Sequence, residues 1–267
     1  MQDAFIFGLF GLIVGSFLNV LILRRGAKGL GGRSECMSCG GQLRWYDNIP
    51  LLSWLVLRGK CRSCRSRISL QYPLVEVLCG ALFALMGAAP EALPMRVAAL
   101  PILALLLAIA VYDVRHTIIP DEWAYAFIAL AALFQLAFPA PASVGSLLVL
   151  LAGPVAALPL FLLWFFSKGA WMGLGDSKLA LGIGWLLGPL WGVGAVFFSF
   201  VIGAVVSVGV LLPLPQIVRM AEQTGIVRLS GTRTRFTMHS EVPFGPFLVG
   251  SCLLVWFALL YQIPLPL

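Results

Sequence analysis

Phe5–Leu23 reads FIFGLFGLIVGSFLNVLIL, nineteen residues without a charge. A helix of that length is about 28 Å long, close to the ~30 Å hydrocarbon thickness of a bilayer. Asp3 stands where a secretory signal would carry Lys or Arg, and no small-residue cleavage site follows, so the stretch is expected to be a first transmembrane helix that is kept. The rest of the chain has the same character. Of its 267 residues 60% are hydrophobic and 11% charged, with a mean hydropathy of +0.98, whereas soluble domains carry about 25% charged residues. Further apolar runs at 74–89, 95–112, 123–138, 146–166, 177–190, 192–212 and 244–262 predict an all-α integral membrane protein of about eight transmembrane helices. The shorter runs would need extension at their ends or a thinned bilayer.

The net charge of +7 is a topology signal rather than a nucleic-acid footprint. Seventeen of the 18 Lys and Arg residues fall in 24–72, 113–122, 167–178 and 213–243, alternate loops of the eight-helix arrangement; Arg96 is the exception. The positive-inside rule places those loops in the cytoplasm. Three parts follow: a first transmembrane helix over 1–23, a cytosolic insertion over 24–73, and a seven-helix transmembrane core over 74–267. The insertion is too short for a self-sufficient hydrophobic core and needs a staple. No internal repeat stands out, and 213–243 reads as a second cytosolic loop.

The staple is visible in Cys36-Met-Ser-Cys39 and Cys61-Arg-Ser-Cys64, two CxxC knuckles 21 residues apart, a spacing suited to a four-thiolate zinc ion. Cytosolic thiols stay reduced and available as ligands. Four protein ligands leave no open coordination position, so this Zn2+ is structural. Cys79 and Cys252 lie in apolar runs and read as small buried hydrophobes.

Acids close to a bilayer are costly, and few occur here: Glu76, Asp113, Asp121, Glu122 and Asp176 at helix edges. Asp113 ends an apolar run, and Asp176 follows Gly173-Leu-Gly175 at the start of another. Singly, each could be a helix cap or a solvated connector. Together they permit peptide hydrolysis without a catalytic metal, in which one ionised carboxylate activates water and a protonated partner polarises the scissile carbonyl. His116 and His239 are the only histidines, and no nucleophile elbow or HExxH motif is present. Arg115 and His116 read as a solvated connector.

In chain order, Gly15-Ser-Phe-Leu-Asn19-Val, the paired knuckles, Trp45-Tyr-Asp-Asn-Ile-Pro-Leu-Leu-Ser-Trp54, Tyr72-Pro-Leu-Val-Glu76, Asp113 through Pro120-Asp121, Gly173-Leu-Gly175-Asp176 and Pro243-Phe-Gly-Pro-Phe247 resemble the type IV prepilin peptidases, over nearly the whole chain. The resemblance implies a bifunctional leader peptidase and N-methyltransferase with Asp113 and Asp176 as its catalytic pair. It implies a multi-pass protein of the bacterial inner membrane that cuts basic leaders after a glycine at the cytoplasmic face. The clients would be type IV prepilins and type II secretion pseudopilins. The new N-terminal amine would then be methylated from S-adenosylmethionine. No dinucleotide-type Gly-rich fingerprint is present. Glu76 and Asn19, with Asp47 and Asn48 nearby, are the candidates for methyl transfer, and the basic insertion suits membrane lipids. Two other classes compete: a transporter with acids along an ion path, and a non-enzymatic assembly scaffold docked through the zinc module.

Overall fold

The computed structural model describes residues 2–25, 32, 34–139, 145–211 and 243–265. Among the described residues the regular elements are helical apart from two isolated bridges. The helices are α1 (Gln2–Arg24), α2 (Leu52–Val56), α3 (Gln71–Ala88), α4 (Leu93–His116), α5 (Asp121–Ala137), α6 (Ser146–Ser167), α7 (Leu174–Leu187), α8 (Pro189–Val206) and α9 (Gly245–Leu260). A 3-10 turn covers Trp45–Asn48, and a π-helical turn, Ser207–Leu211, continues α8. The expected loop 213–243 lies outside the described residues except for Pro243.

Each of the eight expected apolar segments falls on one helix. Among the described residues five stretches are long and apolar enough to cross a membrane: α1, α3, α4, Leu147–Ser167 and Pro189–Gly209. The protein is therefore a multi-pass membrane protein. Helices α5, α7 and α9, with 17, 14 and 16 residues, fall short of the ~20 residues a full crossing takes. Large apolar side chains stand outward along α1 and α6, among them Phe5, Phe10, Phe17, Phe161 and Phe165. That outward facing suits lipid rather than water.

Two compact units divide the chain, one of Met1–Tyr112 with Leu260–Ile263 and one of Asp113–Leu259 with Pro264–Leu267. In the first, α1 lies against α3 through small residues. A Cβ on Gly11 would come within 2.7 Å of the Cys79 carbonyl oxygen, and one on Gly15 within 2.8 Å of the Glu76 Cα. Glycine is needed here because helices in lipid associate through close backbone packing rather than hydrophobic exclusion. Arg96, the exception to the charge rule, donates to Asp3 at 3.0 Å and to the Gly87 carbonyl at 2.6 Å. Its charge is thereby neutralised by an acid at the same end of the unit. Cys79 is fully buried, as expected.

In the second unit α7 is the central element. Gly182 lies under the Phe127 ring of α5 and Gly184 against the Ala152 backbone of α6, while a Cβ added to Gly192 of α8 would stand 2.7 Å from the Gly184 Cα. Trp185 donates its indole N–H to the Leu150 carbonyl at 3.0 Å. Helix α9 joins through the Trp256 ring, edge-on to Phe134 of α5 with centroids 5.7 Å apart. The sequence places α7 about three residues too far along. Gly188, at φ 85°, ends it and Pro189 opens α8, while Gly173 and Gly175 stand at its start, as the cap and the second residue.

Candidate active site

Asp113 and Asp176 lie in the same unit, buried at 4% and 9% exposure. Asp176 has the helix-start setting the sequence suggests, and Asp113 lies at a helix end. Helix α4 continues to His116, so Asp113 sits in its last turn rather than in a connector. A carboxylate there faces the negative end of the helix dipole, which costs about 0.3–1 kcal/mol. The cost is offset from across the bundle, because the Gly245 N–H, at the start of α9, donates to Asp113 Oδ2 at 3.0 Å. That N–H is among the first of α9 and has no partner within its own helix. Space is as restrictive as hydrogen bonding. A Cβ on Gly245 would stand 2.6 Å from Asp113 Oδ2.

Asp176 is the third residue of α7, after the cap residue Gly173. Gly175 permits the approach of Ile119, whose Cβ would be 3.0 Å from a Cβ at that position. The two aspartates thus stand in one unit, Asp113 at a helix end and Asp176 at a helix start. They lie within electrostatic reach of one another. Asp121, the other nearby acid, is exposed and paired with Lys178 at 2.7 Å.

The four knuckle cysteines converge, their Sγ atoms all within 4.8 Å of one another, and Cys36 and Cys64 Sγ stand 3.8 Å apart. Tetrahedral ligands at a Zn–S distance of about 2.3 Å would be about 3.8 Å apart, so the donor set fits zinc. Cys39 and Ser38 N–H groups hold the Cys36 thiol down at about 6, which favours the metal-binding thiolate at neutral pH.

The knuckles form a repeat that their side chains conceal. Cys36 N–H bonds the Gly41 carbonyl, Gly40 N–H the Cys36 carbonyl, and Leu43 N–H the Ser34 carbonyl. Twenty-five positions on, Cys61, Arg65 and Ile68 donate to Ser66, Cys61 and Gly59 in the same pattern. The bridges Glu35–Gln42 and Lys60–Arg67 obey the same offset. Arg65, at φ 59°, fills the left-handed place that Gly40 occupies at φ 67°.

Of the four methyl-transfer candidates, Glu76 and Asn19 are buried where α1 meets α3. The Glu76 carboxylate accepts the Leu51 N–H at 2.9 Å. Asn19 donates to the Tyr72 carbonyl at 3.1 Å and accepts from Gln71 at 3.4 Å. Asp47 is engaged elsewhere. Arg62 donates to it at 2.8 Å and holds its carboxyl below the usual range. Asn48 lines an open cleft with Gln42, Arg44, Trp45 and Tyr46. Leu51 itself is strained: at φ 60°, ψ −49° it is the centre of a γ-turn closed by Leu52 N–H to the Pro50 carbonyl at 2.6 Å.

Sequence reasoning missed Gly245 as a positioning residue, although Pro243-Phe-Gly-Pro-Phe247 was among the telling motifs. A glycine before a proline at a helix start was the available signal.

Residues 9–89 match the Bacterial Peptidase A24 N-terminal domain, and residues 100–208 match the Type IV leader peptidase family. The chain is 37% identical over 213 residues to the prepilin leader peptidase/N-methyltransferase of Myxococcus xanthus, covering 76% of this chain and 61% of that protein. It is 33% identical over 296 residues to the protein of that name from Burkholderia pseudomallei, covering 94% and 84%. With the Pseudomonas putida protein of the same name it shares 32% over 286 residues, covering 94% and 88%. No solved structure matches the chain significantly.

Proposed function

The chain belongs to the Type IV leader peptidase family, and on that premise we propose that it removes the basic leader from type IV prepilins and type II pseudopilins and methylates the new N-terminus. The observation that carries the peptidase reading is the pair Asp113 and Asp176, two buried carboxylates in one unit, the first of them oriented by the Gly245 N–H. One aspartate takes a proton from the attacking water. The other donates a hydrogen bond to the scissile carbonyl and passes its proton to the departing amine. The fixed Gly245 donor spares the site reorganisation as charge develops.

An eight-helix arrangement with the basic loops inside would put the aspartates at the cytoplasmic face of the bacterial inner membrane, where a leader retained by its own positive charge would also lie. We keep the division into a first helix over 1–23, a zinc-stapled insertion over 24–73 and a transmembrane peptidase core over 74–267. Cys36, Cys39, Cys61 and Cys64 would hold a Zn2+ that folds the insertion and takes no part in the chemistry.

For methyl transfer, S-adenosylmethionine supplies the methyl group. The residues fit an amine acceptor: Glu76 is a buried acid able to receive an ammonium proton, and Asn19 stands beside the entry of α3. Asp47, held by Arg62 and by the Arg44 N–H, fixes the turn that leads toward Leu51, and Asn48 lies in that turn. The basic surface of the insertion suits anionic lipid headgroups.

The test is an assay of purified protein in nanodiscs with a prepilin and S-adenosylmethionine, read by mass spectrometry. Loss of the leader after its glycine, followed by a gain of one methyl group, is the expected result. An unprocessed prepilin with folded enzyme would sink the proposal.

A further inference from the structure

The insertion presents an apolar edge that the peptidase and methyltransferase readings leave unused. Within α2, Leu52, Leu55 and Val56 are 59%, 61% and 75% exposed. Three such neighbours on one short helix are expensive in water. Their depth is fixed by a hydrogen bond. The Leu51 N–H, at the start of α2, donates to Glu76 Oε2, and Glu76 is the sixth residue of α3, a helix long and apolar enough to cross the membrane. Five residues of helical rise put Glu76 about 7–8 Å beyond the start of α3. Amphipathic helices that lie in a bilayer surface sit about 5–10 Å into the boundary between headgroups and acyl chains.

Charge points the same way. Arg58, Lys60, Arg62, Arg65 and Arg67 follow α2, and no acid occurs between Asp47 and Glu76. Apolar side chains at acyl depth with basic residues beside them form the pattern that anionic phospholipid recognises. The γ-turn at Leu51 belongs to this arrangement, since strained backbone persists only where its surroundings over-determine it. Here the Glu76 carboxylate holds the N–H of the turn, and the turn sets the direction of α2.

We propose that α2 is a membrane foot: Leu52, Leu55 and Val56 embed in the anionic phospholipid interface and hold the zinc-binding insertion at a fixed height beside Glu76. This goes beyond the proposed activity and rests on the reading of α3 as a membrane span.

The test places the photo-cross-linking residue p-benzoylphenylalanine singly at Leu55, Val56, Arg65 or Leu78 in the full chain. Each variant is reconstituted in nanodiscs of phosphatidylethanolamine and phosphatidylglycerol, irradiated and weighed intact. Leu78, on the outer face of α3, is the control for the span. Lipid-mass adducts at 55, 56 and 78, with fivefold less or none at 65, are expected. Adducts at 78 but none at 55 and 56 would overturn the foot while leaving the membrane reading intact. Cross-links from 55 or 56 to a second copy or to a prepilin would overturn it too, by showing that protein covers the edge. Absence of adducts at 78 would instead strike the membrane reading on which the foot stands.

Discussion

Gly245→Ala places a methyl group where Asp113 already is. The added Cβ would stand 2.6 Å from Oδ2, 3.1 Å from Cγ and 3.3 Å from Cβ of Asp113. An ordinary contact is about 3.4 Å or more, so the carboxylate or the start of α9 must give way by roughly 0.8 Å. Displacement on that scale costs about 10²-fold in rate when it moves a reacting group. The lost N–H bond gives a second route to the magnitude. A hydrogen bond to a charged group contributes about 1.5–3 kcal/mol, which corresponds to about 10- to 100-fold. Both routes give a fall in kcat for leader cleavage of about 10²-fold, with KM little changed because Gly245 touches the carboxylate and not the peptide. The assay is cleavage of a prepilin in nanodiscs under initial-rate conditions. Methylation of an already cleaved substrate and the helical circular dichroism should stay at wild-type levels, which separates misplacement from misfolding. Gly245→Ala cleaving within about threefold of wild type would refute the argument that this glycine positions Asp113.

Glu76→Gln keeps the shape and the Leu51 hydrogen bond but removes the buried acid. Methylation should fall at least ~10²-fold while cleavage stays within about threefold, as read from the two mass changes. Arg65→Gly relieves a left-handed arginine in the knuckle and should stabilise the insertion by about 0.5–1 kcal/mol, seen as a higher urea midpoint for zinc release. Gly40→Arg should lower that midpoint. One zinc per chain is expected in the purified protein, and Cys61→Ser or exhaustive chelation should remove it, unfolding the insertion while the bundle keeps its helical signal.

Much of this architecture is legible in the sequence because a bilayer imposes a length on every apolar run. Phe5–Leu23 and 95–112 announce helices without help from context. The start of α7 is misread because glycine carries two meanings. Gly173 and Gly175 have the composition of a loop, yet they are a cap and a contact surface for Ile119, and only packing separates those meanings. The knuckle repeat escapes notice for a related reason. Its identity lies in backbone hydrogen bonds, while Gly40 in one copy corresponds to Arg65 in the other. The aspartates are picked out by the cost of acids near lipid. The hold on Asp113 is not, because it comes from Gly245, 132 positions away. Asp47 shows the limit of proximity in sequence: it stands four residues before Leu51, yet its carboxylate goes to Arg62.

The most direct test of the central claim compares leader cleavage by wild type, Asp113→Asn and Asp176→Asn in nanodiscs, with intact-mass readout. Each asparagine keeps the size of the side chain, and at 113 it can still accept the Gly245 N–H, but it can neither take nor give the catalytic proton. Loss of cleavage by at least ~10⁴-fold in both variants, with methylation of a pre-cleaved substrate retained, is the predicted result. Cleavage persisting in either variant would remove that aspartate from the mechanism and contradict the account.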